Sequence, residues 1–257
     1  MAPRVVAVAN QKGGVGKTTT AISLAATLAA FERPTLLVDA DPQSNCTSGV
    51  GVETKDDDPT TYQVITGEAD VASAIRRTDF PHLSILPANR HLAGAEVELV
   101  SMVGREFRLR DGLRQLDSYR YVVIDCPPSL GLLTINALAA ADAVLIPIQC
   151  EYFALEGVSE LMRTVDEVRR FLNPNLAIDG VLMTMYDDRT NLARQVVAEV
   201  RSVFGELVFE TVVPRNIRLA EAPSFGRPIQ AYDLRCRGSQ AYLHLGREYL
   251  QRTEVAC

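Results

Sequence analysis

The chain has 257 residues, 47% hydrophobic and 23% charged, which is ample material for a core and excludes a disordered polyelectrolyte. Its net charge of −6 excludes a surface coated for nucleic acid, so any such contact is local. Five cysteines without Cys-x-x-Cys spacing fit reduced thiols in a cytoplasm rather than a disulfide or zinc framework, and the most apolar stretch, 135–148, is interrupted by Asn136 and Asp142, which argues against a membrane span or signal peptide.

The β-branched run Val5 to Ala9 predicts a buried strand, and a helical pattern starts near Lys17. Between them lies Asn10-Gln11-Lys12-Gly13-Gly14-Val15-Gly16-Lys17-Thr18-Thr19. Strand, glycine loop and helix make a phosphate-binding arrangement: the glycines let successive N–H groups point into one concavity, and the helix adds the positive end of its dipole. Lys17 supplies a point charge for the β- and γ-phosphates, and the Thr18 hydroxyl stands where a Mg²⁺ ligand is expected. The standard Gly-x-x-x-x-Gly-Lys-Thr pattern needs glycine at position 11, where this chain has Gln11. In its place there is a second lysine, Lys12, and the whole chain has only three: Lys12, Lys17 and Lys55. Two of the three in one glycine loop read as phosphate ligands rather than as solvated surface.

Beyond the loop, Ala21, Leu24, Ala25 and Leu28 predict a small-residue helix that ends near Arg33-Pro34. Thr35 to Val38 reads as a second buried strand that delivers Asp39 and Asp41 at its carboxyl end, with both acids facing the phosphates. Asp56-Asp57-Asp58-Pro59 is a charged loop; 60–78 read as helix, 82–86 as a short strand, and 95–117 as one broken or two short helices. Tyr121 to Asp125, followed by Cys126-Pro127-Pro128-Ser129, reads as a Walker B strand, because Mg²⁺ on a triphosphate needs a carboxylate opposite Thr18. Strands at 143–148, 178–183 and 207–213, with helices at 155–171 and 192–204, continue the alternation. The fold class is therefore α/β: one P-loop NTPase domain over residues 1–257, a mostly parallel twisted sheet with helices on both faces.

Three segments, Lys12-Gly13-Gly14-Val15-Gly16-Lys17-Thr18-Thr19, Val38-Asp39-Ala40-Asp41-Pro42-Gln43 and Ile124-Asp125-Cys126-Pro127-Pro128-Ser129, resemble those of the deviant Walker A ATPases. Within that class the chain is most similar to the ParA/Soj chromosome and plasmid partition proteins. The likeness runs nearly end to end, through Leu130 to Leu138, Gln149 to Gly157 (with Tyr152 and Phe153) and Val213 to Ser224.

The resemblance implies a Mg²⁺-dependent ATPase that works as a nucleotide-driven switch. Lys12 would reach across an ATP-sandwich homodimer, and Gly13, Gly14, Val15, Gly16, Lys17, Thr18 and Thr19 would hold the phosphates. Lys17 would stabilise the transferred phosphoryl group and Asp41 would orient water. Thr18 and Asp125 match the Mg²⁺ positions, and Pro214, Arg215 and Asn216 match the adenine segment, where an ordinary turn is the alternative. Arg189 and Arg218 match positions that bind double-stranded DNA without sequence preference in the ATP dimer, which would place the protein on the nucleoid within the cytoplasm. Between 189 and 237 there are eight arginines against five acids, although an arginine-rich stretch also fits a solvated face. A ParB-type centromere-binding protein would stimulate hydrolysis and so move chromosome or plasmid origins. With a strand beginning by residue 5, a separate amino-terminal DNA-binding domain is not expected. The alternative is a MinD-like membrane switch, but the tail from Tyr249 to Cys257 has one basic residue, one acidic residue and little apolar face. Cys126 and Cys150 do not sit where an iron–sulfur dimer like the nitrogenase iron protein would place its cysteines.

Overall fold

A computed structural model describes residues 2–151 and 154–254; Tyr152, Phe153 and the tail residues 255–257 named above lie outside the described residues. Its strands are β1 (Arg4–Val8), β2 (Thr35–Asp39), β3 (Arg76–Arg77), β4 (Leu83–Leu86), β5 (Tyr121–Asp125), β6 (Ala143–Gln149), β7 (Ala177–Tyr186) and β8 (Val208–Pro214). They form one sheet in the order β3-β4-β2-β5-β1-β6-β7-β8, parallel throughout except where β3 meets β4. The helices are α1 (Lys17–Ala30), α2 (Asn45–Gly49), α3 (Thr61–Thr66), α4 (Val71–Ala74), α5 (Leu92–Glu98), α6 (Arg108–Leu113), α7 (Leu132–Ala140), α8 (Glu156–Phe171), α9 (Asn191–Phe204), α10 (Ile217–Glu221), α11 (Ile229–Tyr232) and α12 (Arg237–Glu254).

Because successive side chains of a strand point to opposite faces, β1 divides its apolar run between two cores. Val5 and Ala7 join residues of α3 to α9, while Val6 and Val8 join residues of α1, α2 and α10 to α12. Strands buried on both faces explain the near-continuous hydrophobic runs in the sequence. The α1 helix lies tight against α12, since a Cβ added at Gly246 would come within 2.3 Å of the Thr27 methyl.

Several elements depart from expectation. The stretch 60–78 breaks into α3, α4 and β3: Thr60 and Gln63 make a reciprocal capping box at the start of α3, and Gly67, at φ 86°, ends it. Strand β7 extends to Tyr186, three residues past the predicted end. Helices α7 and α12 carry no early signal in the sequence. The first overlaps the apolar stretch at 135–148 and shows no polar face apart from Thr134 and Asn136, and the second mixes buried Tyr242 and Tyr249 with charged residues. Tyr249 reaches Asp179 of β7 at 2.8 Å, and Arg4 of β1 closes on the same carboxylate at 2.6 Å.

The outer strand β8 exposes backbone groups that would template another strand. Helix α12 covers them with an ion pair one turn apart. The Glu248 carboxylate accepts the backbone N–H groups of Glu210 and Thr211 at 2.8 and 3.0 Å. Arg252 donates to the carbonyls of Glu206 and Val208 and to Glu248 itself. Its guanidinium also lies 4.3 Å from the centre of the buried Phe209 ring. Replacing Glu248 with Ala strands two backbone donors and the arginine, so Glu248→Ala is expected to lower stability by about 1–3 kcal/mol, read as a lower urea midpoint with an unchanged slope.

Candidate functional site

The site forms at the carboxyl ends of β1, β2, β5 and β7. Asn10 fixes the start of the loop from both sides: its amide donates to the Pro147 carbonyl at 2.8 Å and its Oδ1 accepts the Lys12 N–H at 3.0 Å. Gly14 (φ 75°) and Gly16 (φ 88°) adopt the left-handed backbone that folds the loop over the start of α1. On the other side Thr184 of β7 donates its hydroxyl to the Val15 carbonyl at 2.8 Å. A cleft of about 350 Å³ opens on this loop, lined by Gly13, Gly14, Gly16, Lys17, Thr18 and Thr19, with Asp41, Gln43, Asn45, Pro128 and Met185 opposite. Val15 is buried and does not line the cleft, so only its backbone is available there.

Lys17 is 7% exposed, and its Nζ donates to the Lys12 carbonyl at 3.1 Å. Burial lowers its pKa, and Asp125, Cys126 and Asp41 oppose that shift. Lys12 is half-buried, and its ammonium has no hydrogen bond or ion pair among the described residues.

The two acids after β2 separate in role. Asp41 lines the cleft, with one oxygen accepting the Gln43 N–H at 2.9 Å. Asp39 does not face it. Its carboxylate is fully buried and accepts the Asp41 N–H at 3.1 Å and the Thr47 N–H and hydroxyl at 2.8 and 2.6 Å. Asp39 is thus a loop anchor, and the expectation that both acids point at phosphate is corrected, because these bonds occupy both its oxygens. Burial still pushes it up to about 6, against the pull of the Thr47 bonds.

Asp125 stands beside Asp39 in the β2–β5 register. It is fully buried, and neither of its oxygens has a hydrogen-bond partner among the described residues. Burial pushes this carboxyl well above the usual range; Asp39 adds to the shift, and the Thr18 hydroxyl, Asp41 and Lys17 act after it in that order, the hydroxyl and the lysine opposing. Buried carboxylate oxygens are seldom left unpaired, and two together beside a threonine hydroxyl fit a hydrated divalent cation. Burial also raises the thiols of Cys46 and Cys126, which keeps both protonated beside the site.

Pro214, Arg215 and Asn216 lie next to this cleft in the sheet rather than in its lining: Tyr186 pairs with Pro214, and the Arg215 N–H donates to the Tyr186 carbonyl at 3.0 Å. Asn216 caps α10, its Oδ1 accepting the Arg218 N–H at 2.8 Å. Arg189 and Arg218 follow the neighbouring strands β7 and β8, so both fall on the same edge of the sheet. Neither is a bare cation. Arg189, 83% exposed, pairs with Asp187 at 2.7 Å, and Arg218 sits between Glu221 at 2.8 Å and Asp233 at 3.8 Å. Arg237 pairs with Asp188 at 3.4 Å. Beginning the count at 189 leaves out Asp187 and Asp188; with them, the eight arginines face seven acids.

Sequence reasoning missed Asn10, Thr184 and Met185. The first is hidden at a strand end, and the other two belong to a strand whose predicted end falls short of them.

A glycine loop between a strand and a helix, with a buried lysine and an unpaired acid at the end of a neighbouring strand, defines a P-loop nucleotide-binding protein. A family model described as AAA domain matches residues 3–178. The chromosome partitioning protein ParA of Myxococcus xanthus is 56% identical, covering 97% of this chain and 88% of that protein. The sporulation initiation inhibitor protein Soj of Bacillus subtilis is 53% identical, covering 95% and 97%. Among solved structures, a cobyrinic acid a,c-diamide synthase from Mycobacterium smegmatis with bound ADP and magnesium superimposes with a TM-score of 0.87 at 38% identity, covering 99% of this chain and 97% of that one. MinD from Pyrococcus horikoshii, complexed with Mg-ADP, shares the fold at a TM-score of 0.79 and 23% identity, covering 99% and 97%. The chain belongs to the ParA/Soj family of chromosome-partitioning ATPases.

The buried Asp125 gives a pH prediction. With its pKa raised in the native state, the folded protein holds a proton there over a range in which the unfolded chain has released it, so this residue costs stability increasingly as pH rises above the ordinary aspartate value of 3.8. Without nucleotide or metal, Asp125→Asn is expected to unfold above wild type at pH 8, by about 2–4 °C for each kcal/mol relieved. The difference should shrink as pH falls toward 4. Thermal unfolding across pH, monitored by circular dichroism, checks both statements.

Proposed function

We propose that the protein is a DNA-segregation ATPase whose ATP-bound homodimer binds double-stranded DNA without sequence preference and releases it on hydrolysis. The observation that carries this reading is Lys12: of the two lysines in the loop, Lys17 is buried and bonded to the loop, whereas the Lys12 ammonium has no hydrogen bond or ion pair among the described residues. A second subunit's phosphates would supply one. Two opposite unit charges about 4 Å apart attract by about 4 kcal/mol at an effective dielectric near 20, before desolvation, which suits a clamp made only with ATP present.

Within each subunit Gly13, Gly14, Val15, Gly16 and Thr19 present backbone to the phosphates, and Lys17 holds the transferred phosphoryl group. Thr18 and Asp125 would hold Mg²⁺, which supplies positive charge against the phosphate oxygens. Asp41, at the cleft wall with one oxygen on the Gln43 N–H, orients the attacking water. The turn of Pro214, Arg215 and Asn216 holds the adenine through backbone and the remaining amide of Asn216. Arg189 and Arg218 exchange their carboxylate partners for DNA phosphates, which their exposure permits. A ParB-type partner stimulates turnover, and the cargo is a replication origin. The relative named as a chromosome partitioning protein, matched over 88% of its length, supports this reading.

DNA binding measured by gel shift with no nucleotide, ADP or a slowly hydrolysed ATP analogue tests it. The analogue alone is expected to shift DNA in wild type. Lys12→Ala should bind nucleotide yet stay monomeric in light scattering and fail to shift DNA; a normal dimer would refute the role of Lys12 across the interface.

Arg218→Ala should weaken DNA binding equally for all sequences. Each phosphate neutralised contributes about −0.9 to the slope of log affinity against log salt, and a dimer presents the residue twice, so the slope should flatten by about two units. A salt series with the ATP analogue present reads that slope.

A further inference from the structure

Among the described residues Glu32, Ser44, His82 and Met185 are the non-glycine residues with positive φ, and Met185 (φ 52°) alone lies inside a strand. Its neighbours are held on both sides. Thr184 donates its hydroxyl to the Val15 carbonyl of the phosphate loop at 2.8 Å, while its own carbonyl accepts the Cys150 N–H at 3.0 Å. Tyr186, one residue later, accepts the Arg215 N–H at 3.0 Å and pairs with Pro214. Met185 is thus the link between the loop that takes the phosphates and the turn beside β8, and it lines the cleft.

Glycine or asparagine adopts this backbone at lower cost than an unbranched long side chain. If only the kink mattered, a small residue would serve. A strained residue held by its surroundings at a ligand cleft points from the outlier to a role for its side chain. The thioether is flexible and polarizable and packs well on aromatic rings.

We propose that Met185 is a nucleotide-specificity residue whose side chain packs on the purine ring between the phosphate loop and the Pro214 to Asn216 turn. This rests on the reading of the cleft as an ATP site. The purine is the fitting class of ligand because the phosphates occupy the glycine loop, leaving the base to extend along the exit of β7, where the lining changes from glycine, lysine and threonine to this one apolar side chain and Pro128.

The test is calorimetric titration of the full chain with ATP, ADP and inorganic tripolyphosphate, each with Mg²⁺, for wild type and the variants Met185→Ala, Met185→Leu and Met185→Gly. Met185→Ala is expected to weaken ATP and ADP alike by roughly threefold to tenfold and to leave tripolyphosphate unchanged. Met185→Leu should stay within about twofold of wild type, as an apolar side chain of similar volume. Met185→Gly, which accepts the backbone without strain, should lose affinity as Ala does without a lower unfolding midpoint. Unchanged ATP affinity in Met185→Ala overturns the proposal, as does an equal loss for tripolyphosphate, which would mean that Met185 only shapes the loop. If wild type binds ATP no better than tripolyphosphate, the purine contact is absent; if it binds neither, the ATP-site reading falls as well.

Discussion

Everything at the carboxyl edge of the sheet follows from a charge imbalance that the chain cannot settle by itself. Asp125 is a fully buried carboxyl with no hydrogen-bond partner on either oxygen among the described residues, and it lies beside Asp39, which is also fully buried. The positive side is Lys17, itself buried and held by one carbonyl of its own loop. A carboxyl kept in such a place raises its pKa and costs stability at neutral pH. On the proposed assignment, nucleotide with its cation would supply what is missing on both sides: phosphate for the lysine, a divalent ion for the acid. The site is therefore built for its ligand at the expense of the empty state, and ligand binding to the native state alone returns that stability by mass action.

The rest of the fold serves to hold this edge still. Asn10 ties the loop to β6, Thr184 ties it to β7, and Asp39 ties the segment after β2 through three hydrogen bonds. Helix α1 begins at the loop, and behind it α12 forms a broad support. Tyr242 meets the Thr20 hydroxyl at 3.0 Å, and Gln230 of α11 donates to Ser23 and Thr27. These contacts run from the first turn of α1 to the segment that carries Arg218, Arg227, Arg235 and Arg237. Because interiors are close-packed, any displacement of α1 would be felt at the arginine-bearing edge.

That edge is also less basic than its arginines suggest. Arg189, Arg215, Arg218 and Arg237 each have an acidic neighbour within 4 Å. In solvent such pairs bind weakly and are screened by salt, so they are readily exchanged for stronger polyanionic partners. A surface balanced in this way is suited to weak, reversible contact with anions.

Sequence alone determined the class of the protein. Glycine spacing, the lysines at 12 and 17 and the acid ending the run at 121–125 are local chemistry, and the β-branched runs announce a buried parallel sheet whatever surrounds them. What it could not decide depends on partners far away in the chain. Asp39 and Asp41 are two residues apart and equally acidic, yet only the position of Thr47 makes one an anchor and leaves the other at the cleft. The arginine excess at 189–237 looked like a free positive face, and the fold pairs it with acids both inside and just outside that window. Helix α12 mixes apolar and charged residues because it covers a sheet edge with one side and α1 with another, so no single period marks it. Met185 lies beyond the end predicted for its strand, and its backbone conformation is imposed by bonds to residues at 15, 150 and 215 that no local pattern contains. Motifs that carry their chemistry in adjacent residues were legible; those set by tertiary hydrogen bonding were decided only when the strands came together.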